Sequence, residues 1–195
     1  MRAYSIEGDV IVLHRELTEL DRFVKQFLDV LKKHSDYLIV SGYVSIATGR
    51  TRGTEDVDVL VPLISYDTFK EMFADTLKNG FWCYQGDTAT EIYEYIKDKQ
   101  RPRFARLNEM FPNIEFITID ETDNLQFFEF KNPQTMRVDD FEFKVPPIEF
   151  EILYKEQILR SPKDIADARH LRTLFSDFIT EAKFKIFEHI ITDQK

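Results

Sequence analysis

The stretch SGYVSIATGRTRGTEDVDVLV, residues 41–61, decides what this chain folds into. Its last third alternates acidic and apolar side chains, with Asp56 and Asp58 two residues apart in a run that continues through Val61. On a β-strand, residues i and i+2 point to the same face. The alternation therefore predicts a strand at 56–61 with both carboxylates converging on one spot.

Two carboxylates on one face of a strand repel each other, so the pair needs a compensating charge. A divalent cation with a bound phosphate group supplies it, because Mg²⁺ takes one or two protein carboxylates together with phosphate oxygens. The alternative is an exposed turn, residues 53–56, that leads into a strand whose acids face water. The acidic motif alone leaves both interpretations open.

The residues before the acids are typical of phosphate binding. An apolar run at 37–40 predicts a buried strand that ends at Ser41 and Gly42, and a short helix is expected at 43–48. Backbone N–H groups at the N-terminus of a helix bind phosphate. We therefore expect Ser41 and Gly42 to lie against a phosphate group.

A glycine-flanked loop with two arginines follows this helix. This segment, which we call the arginine loop, runs from Gly49 through Arg50 and Arg52 to Gly53. A guanidinium group can grip phosphate oxygens in a bidentate fork. Anion-binding and cation-binding groups thus meet in one segment, which favours a site for a metal ion and a triphosphate.

At these residues the chain resembles the nucleotidyltransferase superfamily that includes DNA polymerase β, specifically its small bacterial and archaeal members of the minimal and abortive-infection types. The family pattern is an apolar residue, glycine, then glycine or serine, a gap, and Asp-apolar-Asp/Glu-apolar on the next strand. Val40-Ser41-Gly42 and Asp56-Val57-Asp58-Val59 match it, with Ser41 in place of the first glycine. The loop at 49–56 is similar to the Gly-Arg/Ser-x-Arg-x-Thr-x-Asp loop of such proteins.

The resemblance implies an α/β (α+β) fold in which a mixed sheet is flanked by helices. It also implies an enzyme that depends on Mg²⁺ (or Mn²⁺) and moves a nucleoside monophosphate from an NTP to a hydroxyl group of an acceptor. In that chemistry Asp56 and Asp58 bind metal, and a third carboxylate on a later strand joins them and helps to activate the acceptor hydroxyl. The residues expected to bind the nucleotide are Ser41, Gly42, Gly49, Arg50, Arg52 and Thr54.

Glu115 is the best match for the third carboxylate, because it stands at the start of the apolar face of a strand expected at 113–119. Glu149 and Glu151 are alternatives, but they follow two prolines and fit the first turn of a helix. Glu129 is a weaker alternative. The acceptor is left open among a protein, a tRNA end, a small antibiotic and a nucleotide.

A second hypothesis is a protein that has the same fold but no nucleotide-transfer activity. Ser41 at the glycine position and the lack of an Asp-containing third strand favour a catalytically inactive, nucleotide-binding or interaction module. The resemblance to two-component systems makes a toxin or antitoxin protein the expected partner of such a module.

Composition favours an ordinary globular protein. With 195 residues, 43% of them hydrophobic, the chain can bury a sizeable core. The net charge of −9 gives no strong nucleic-acid signal, and the basic stretch Lys97–Arg106 is either a patch for a triphosphate or RNA-like acceptor or a solvated loop and edge strand. The single cysteine, Cys83, excludes an intrachain disulfide framework. With neither a membrane span nor a signal-peptide core in the sequence, we expect a cytoplasmic protein.

The chain changes character at the prolines 146 and 147, which predicts an α/β core at 1–145 and a C-terminal helical segment at 146–195 packed on it. Within the second part, residues 162–171 look like the Lys-Asp-x-x-Asp-x-x-x-Leu helix of abortive-infection-type nucleotidyltransferases, which follows a helix with a lysine that Lys155 matches. The predicted strands are two at 4–13 and one each at 37–41, 56–61, 102–107 and 113–119; the predicted helices are 16–33, 43–48, 67–78, 90–98, 148–159, 162–174 and 177–191.

Overall fold

The computed structural model describes residues 3–53 and 56–193. Over those residues, two mixed sheets are flanked by eight α-helices, which confirms the α+β class. The helices are α1 (Glu19–Leu31), α2 (Gly42–Ala47), α3 (Tyr66–Lys78), α4 (Ala89–Lys97), α5 (Asn124–Lys131), α6 (Ile148–Tyr154), α7 (Pro162–Leu174) and α8 (Glu181–Asp193). Within the described ranges, no helix combines the length and the apolar character needed to cross a membrane.

Nine strands form the two sheets of the described chain. They are β1 (Tyr4–Glu7), β2 (Val10–Leu13), β3 (Leu38–Val40), β4 (Asp56–Pro62), β5 (Phe81–Cys83), β6 (Arg103–Arg106), β7 (Asn113–Ile119), β8 (Gln134–Val138) and β9 (Phe141–Val145).

The larger sheet has the strand order β3-β4-β7-β6-β5. Its central pair, β4 and β7, is parallel, and the other neighbours are antiparallel. Every residue of β7 is buried, whereas β4 alternates at its start, with Asp56 and Asp58 half-buried on either side of the buried Val57. The strands predicted at 56–61 and 113–119 thus form the centre of the sheet.

The smaller sheet has the order β1-β2-β8-β9, with β2 and β8 parallel. Four of the observed elements were not predicted from the sequence: strands β5, β8 and β9 and helix α5. Each is short, so periodicity within it is weak. Strand β8 is stabilised by pairing with β2, which lies more than a hundred residues away in the chain.

Helix α1 begins later than predicted because Thr18 caps it. The Thr18 hydroxyl accepts the N–H of Asp21, and the Asp21 carboxylate accepts the N–H of Thr18, which forms a capping box. Arg15 and Tyr43 also donate to Asp21. Burial alone would raise the pKa of this carboxyl, but the donors from Arg15, Tyr43 and Thr18 outweigh it and lower the pKa. Through Tyr43, the cluster fixes α2 against α1.

An aromatic core supports the central strands. Phe116 on β7 packs edge to face against Phe104 at 5.9 Å between ring centroids, and Phe104 lies 5.5 Å from Phe27 of α1. Cys83 is buried in the same core, and burial raises the pKa of its thiol to about 11. The Cys83 thiol is therefore structural. The aromatic rings pack against strand β7, which also carries Glu115.

The C-terminal helices differ from prediction at two places. The helix expected at 148–159 ends at Tyr154 and continues as a π-helical turn over Lys155–Leu159. The last helix begins at residue 181 and not at 177. Helix α7 starts where expected, with Ser161 as its cap, and packs against α2. The division of the chain at residues 145 and 146 stays a prediction.

Candidate metal centre

Three carboxylates meet at the centre of the larger sheet. Strands β4 and β7 pair in parallel with Asp58 opposite Glu115, and Asp56 lies two residues earlier on the same face of β4. One oxygen from each of Asp56, Asp58 and Glu115 lies within 4.8 Å of the other two. The structure therefore brings together all three acids that the sequence nominated.

Asp58 is the most perturbed of these acids. Burial raises its pKa to about 6, and the negative charges of Glu115 and Asp56 act in the same direction. A hydrogen bond from the Ser41 hydroxyl opposes the shift. A bound cation would offset the repulsion among the three carboxylates, so the charge of the cluster favours cation binding.

The donor set fits a hard divalent ion. All three groups are carboxylates on rigid neighbouring strands, and hard cations such as Mg²⁺ and Mn²⁺ prefer oxygen ligands. No histidine or cysteine belongs to the cluster over the described residues, so the pattern of soft ligands that zinc sites use is not found there.

Two arginines from β6 and the segment before it contact the acids. Arg101 and Arg103 each donate to Glu115 at 3.0 Å, and a guanidinium nitrogen of Arg103 lies 3.8 Å from Asp56. The sequence left this basic stretch open between a phosphate-binding patch and a solvated loop. Around the two arginines lies a cleft of about 400 Å³, whose lining also includes Gln85, Tyr95, Lys99 and Gln100.

The turn at Ser41 has an unusual backbone. Ser41 adopts φ of 64°, a region that non-glycine residues rarely occupy, at the position where the family pattern has glycine. At Gly42 a Cβ atom would lie 3.1 Å from a guanidinium nitrogen of Arg52, so the site has little room for a larger side chain. Ser41 and Gly42 thus lie between Asp58 and the arginine loop, in front of a helix α2 of only six residues, and their binding of phosphate stays a prediction.

Ion pairs join the arginine loop to helix α7. Arg50 and Arg52 both donate to Asp167, which is fully buried. Lys155, also fully buried, lies 3.2 Å from the same carboxylate. Arg50 and Arg52 were predicted to bind the triphosphate, and that role stays a prediction; what the structure adds is their buried counter-ion. Thr54, the remaining residue of the predicted set, lies outside the described residues, and Gly49 ends the turn after α2.

Asp167 was not recognised as a site residue from the sequence. The signal available was the resemblance of residues 162–171 to the family's Lys-Asp-x-x-Asp helix together with Lys155. Nothing local in the sequence indicates that this aspartate would meet the loop arginines, since they are separated from it by more than a hundred residues.

The alternative third carboxylates occupy other places. Glu149, on the first turn of α6 as expected, accepts the N–H of Thr180 and lies 3.7 Å from Lys183. Glu129 lies on helix α5, and Glu151 lies on α6. Glu129 and Glu151 line a cavity of about 140 Å³ that also contacts Asp58 and Ser41.

Metal affinity should depend on pH because Asp58 must be ionised to act as a ligand. We expect the affinity for Mn²⁺ to be constant well above the Asp58 pKa of about 6 and to fall as the pH drops through it, by up to about tenfold per pH unit. Titration of Mn²⁺ by electron paramagnetic resonance at several pH values measures this. An affinity that is flat across this range would show that Asp58 is not a ligand.

Comparison with known proteins gives a likeness among solved structures. No protein-family model matches the chain, and no curated protein matches it. Among solved structures, the crystal structure of an antigenic nucleotidyltransferase-like protein from Paracoccidioides brasiliensis is similar, with a TM-score of 0.50 and 16% sequence identity over 88% of this chain and 87% of that chain. At this identity the likeness concerns the fold alone. The chain therefore has a nucleotidyltransferase-like fold.

Proposed function

We propose that the protein is a nucleotidyltransferase, dependent on Mg²⁺ or Mn²⁺, that transfers a nucleoside monophosphate from an NTP to a hydroxyl group of an acceptor. The convergence of Asp56, Asp58 and Glu115 on neighbouring strands carries the proposal, because this fold and three clustered carboxylates together suit metal-assisted phosphoryl chemistry. We also infer that it belongs with the small abortive-infection-type enzymes, on the strength of the motifs at 40–59 and 162–171.

The reaction would exchange one bond at the α-phosphorus for another and move one proton. The acceptor oxygen bonds to the α-phosphorus of the NTP as the bond to the pyrophosphate oxygen breaks, and the hydroxyl proton leaves. A divalent ion held by the three acids would supply Lewis-acid stabilisation of the phosphate charge. Glu115 lies at the edge of the cluster nearest β6, and a carboxylate there can assist the departure of the hydroxyl proton.

The arginines beside the acids suit the charge on a triphosphate. Arg101 and Arg103 have half-exposed side chains, 54% and 41% accessible, so a ligand can reach them. Arg50 and Arg52 are less accessible and already neutralise Asp167. A guanidinium group can donate two parallel hydrogen bonds to phosphate oxygens, and such contacts would stabilise the leaving pyrophosphate.

Transfer of label from NTPs tests the function. Each of the four α-³²P-labelled NTPs is incubated with the protein, Mg²⁺ or Mn²⁺ and a fractionated cell lysate. We expect one or more NTPs to give a labelled product with the wild type and with Glu149→Gln, a buried acid outside the metal centre, and none with Asp58→Asn. Failure of every NTP to label any fraction, with metal binding intact, would reject the proposal.

The arginines give a second test. Arg103→Ala should weaken ATP binding more than AMP binding, by about 10- to 100-fold, because the guanidinium would contact the β- and γ-phosphates. Mn²⁺ binding should not weaken, since a cation is removed from beside the three acids. Isothermal titration calorimetry measures all three ligands. If Arg52→Ala shows the selective loss and Arg103→Ala does not, the triphosphate lies on the arginine loop.

A non-catalytic nucleotide-binding module is the second candidate. The paired contacts of Arg101 and Arg103 with Glu115 favour it, because they neutralise the carboxylate that would assist the acceptor. Saturable ATP binding without transfer of label to any lysate fraction would support this candidate over the enzyme.

A further inference from the structure

An acid-lined cavity adjoins the candidate metal centre. It has a volume of about 140 Å³ and is lined by Ser41 and Asp58 together with residues of helices α5 and α6, among them Glu129, Glu151 and Tyr154. Three of its lining side chains are acidic and one, Arg101, is basic. Its electrostatic character is thus the reverse of the cleft beside Arg103 and Lys99.

Glu129 is the unusual group in this cavity. Its side chain is 2% exposed, and its Oε2 atom has no hydrogen-bond partner among the described residues. Burial raises the pKa of Glu129 well above its ordinary value, and the charge of Glu151 adds to the shift. A buried carboxyl oxygen without a partner is destabilising, so a ligand that donates to it would gain a contact that the free protein lacks.

The nearby cations are already occupied. Lys155 is shared among Glu151 at 3.1 Å, Asp167 at 3.2 Å and Asp164 at 3.8 Å. Arg101 donates to Glu115. Glu151 Oε1 is the atom that faces the Lys155 ammonium. Glu129 therefore offers the cavity an acceptor atom without a donor to match it, and Glu151 shares its donor with two aspartates.

We propose that this cavity is the acceptor subsite and that it takes a small hydroxyl compound carrying a protonated amine. The ammonium group donates to Glu129 and Glu151, and a hydroxyl group of the same molecule lies towards Asp58. This proposal rests on the proposed function, since it names the acceptor class of that reaction. The oxygen of that hydroxyl group then bonds to the α-phosphorus of the NTP as pyrophosphate leaves, and the hydroxyl proton passes to a carboxylate of the three-acid cluster.

The size of the cavity limits the acceptor. Cavities of about 150 Å³ hold a single six-membered ring, so a volume of about 140 Å³ suits one ring or a short chain and not a nucleotide. Arg101 is the one basic side chain that lines this cavity, and it already donates to Glu115, so the cavity offers little to a phosphate group. The cleft around Arg101 and Arg103, about 400 Å³ in volume, is larger, and three basic side chains and one acidic side chain line it. The two ligands are therefore directed to different cavities, both of which adjoin the three-acid cluster.

Matched pairs of small probes test the acceptor class without any turnover. Binding of D-glucosamine is compared with D-glucose, and ethanolamine with ethylene glycol, by ligand-observed NMR on the full chain. We expect each amine to bind at least about tenfold more tightly than its neutral partner. Glu129→Gln, which keeps the shape of the side chain, should abolish the preference, and Glu149→Gln should retain it.

A second variant covers the case in which Glu129→Gln fails to fold. Gln126→Lys introduces a cation among the half-buried residues that line the same cavity, and it should abolish binding of both amines. Equal binding of amine and neutral probes, no binding of either amine, or an amine preference that survives in Glu129→Gln and Gln126→Lys would each overturn the proposal. Because no NTP is present, failure here leaves the result of the label-transfer experiment standing, and a failed label transfer leaves the amine preference measurable.

Discussion

Asp58→Asn should abolish nucleotide transfer and at the same time stabilise the metal-free protein. The variant keeps the shape of the side chain but removes a carboxylate of the three-acid cluster. Loss of a single preorganised electrostatic contact lowers turnover by about 10²- to 10³-fold, and a lost metal ligand should cost at least that much. Label transfer from α-³²P-NTP measures the first effect, and urea denaturation measures the second.

The gain in stability follows from the direction of the Asp58 pKa shift. In the folded protein this pKa is raised from 3.8 to about 6, so its contribution to stability is complete below about pH 4 and is lost as the pH rises through about 6. Above that pH the wild type keeps a repelled, partly buried charge that Asn does not carry. We expect the free energy of unfolding to rise by up to about 3 kcal/mol well above pH 6, and the difference to vanish near pH 4.

Glu149→Gln is the matched control for this prediction, because it neutralises a buried acid away from the cluster. It should leave transfer unchanged. Asp58→Asn with wild-type transfer would exclude a metal centre at the three acids. Loss of transfer together with lower stability at high pH would mean instead that Asp58 is mainly a structural residue.

Asp167→Asn should destabilise the protein far more than removal of a charge at the surface does. Asp167 is fully buried and contacts three cations: Arg50, Arg52 and Lys155. Removal of one partner from a buried ion pair costs about 3–5 kcal/mol, because the remaining charges stay in a poorly solvated place. The midpoint of urea denaturation, with an unchanged m-value, measures the loss.

Asp140→Asn serves as the control for Asp167→Asn. It also removes an ion pair, with Lys25, but the Asp140 side chain is 67% exposed. Exposed pairs contribute about 0–1 kcal/mol, so this control should be nearly neutral. A similar, small effect of both variants would show that the buried cluster around Asp167 is solvated in solution and does not hold the arginine loop.

Loss of Asp167 should also affect the nucleotide site if the arginine loop belongs to it. Arg52 lies against Gly42, and its position is set by its contact with Asp167. We therefore expect Asp167→Asn to weaken ATP binding as well as stability. Weaker ATP binding at a temperature where the variant is still folded would separate this effect from unfolding.

Local periodicity was sufficient for the central part of the site. The two-residue spacing of Asp56 and Asp58 predicted a strand with both acids on one face, and the apolar run after Glu115 predicted a second strand. These two predictions needed only the geometry of an isolated strand. The family resemblance placed a third carboxylate on a later strand, and the parallel pairing with Asp58 opposite Glu115 is known only from the register in the structure.

The sequence by itself determined the strands that carry Asp56, Asp58 and Glu115 and the turn at Ser41 and Gly42, because each is encoded within one short segment, and the resemblance of those segments to a known family gave the α+β class. Only the tertiary structure decided which charges meet. Arg50 finds Asp167 across 117 residues of chain, and Glu129 joins Asp58 at one cavity through the docking of α5. Such contacts depend on how separate elements pack, and packing is set by the whole core and not by the spacing of residues along any one segment.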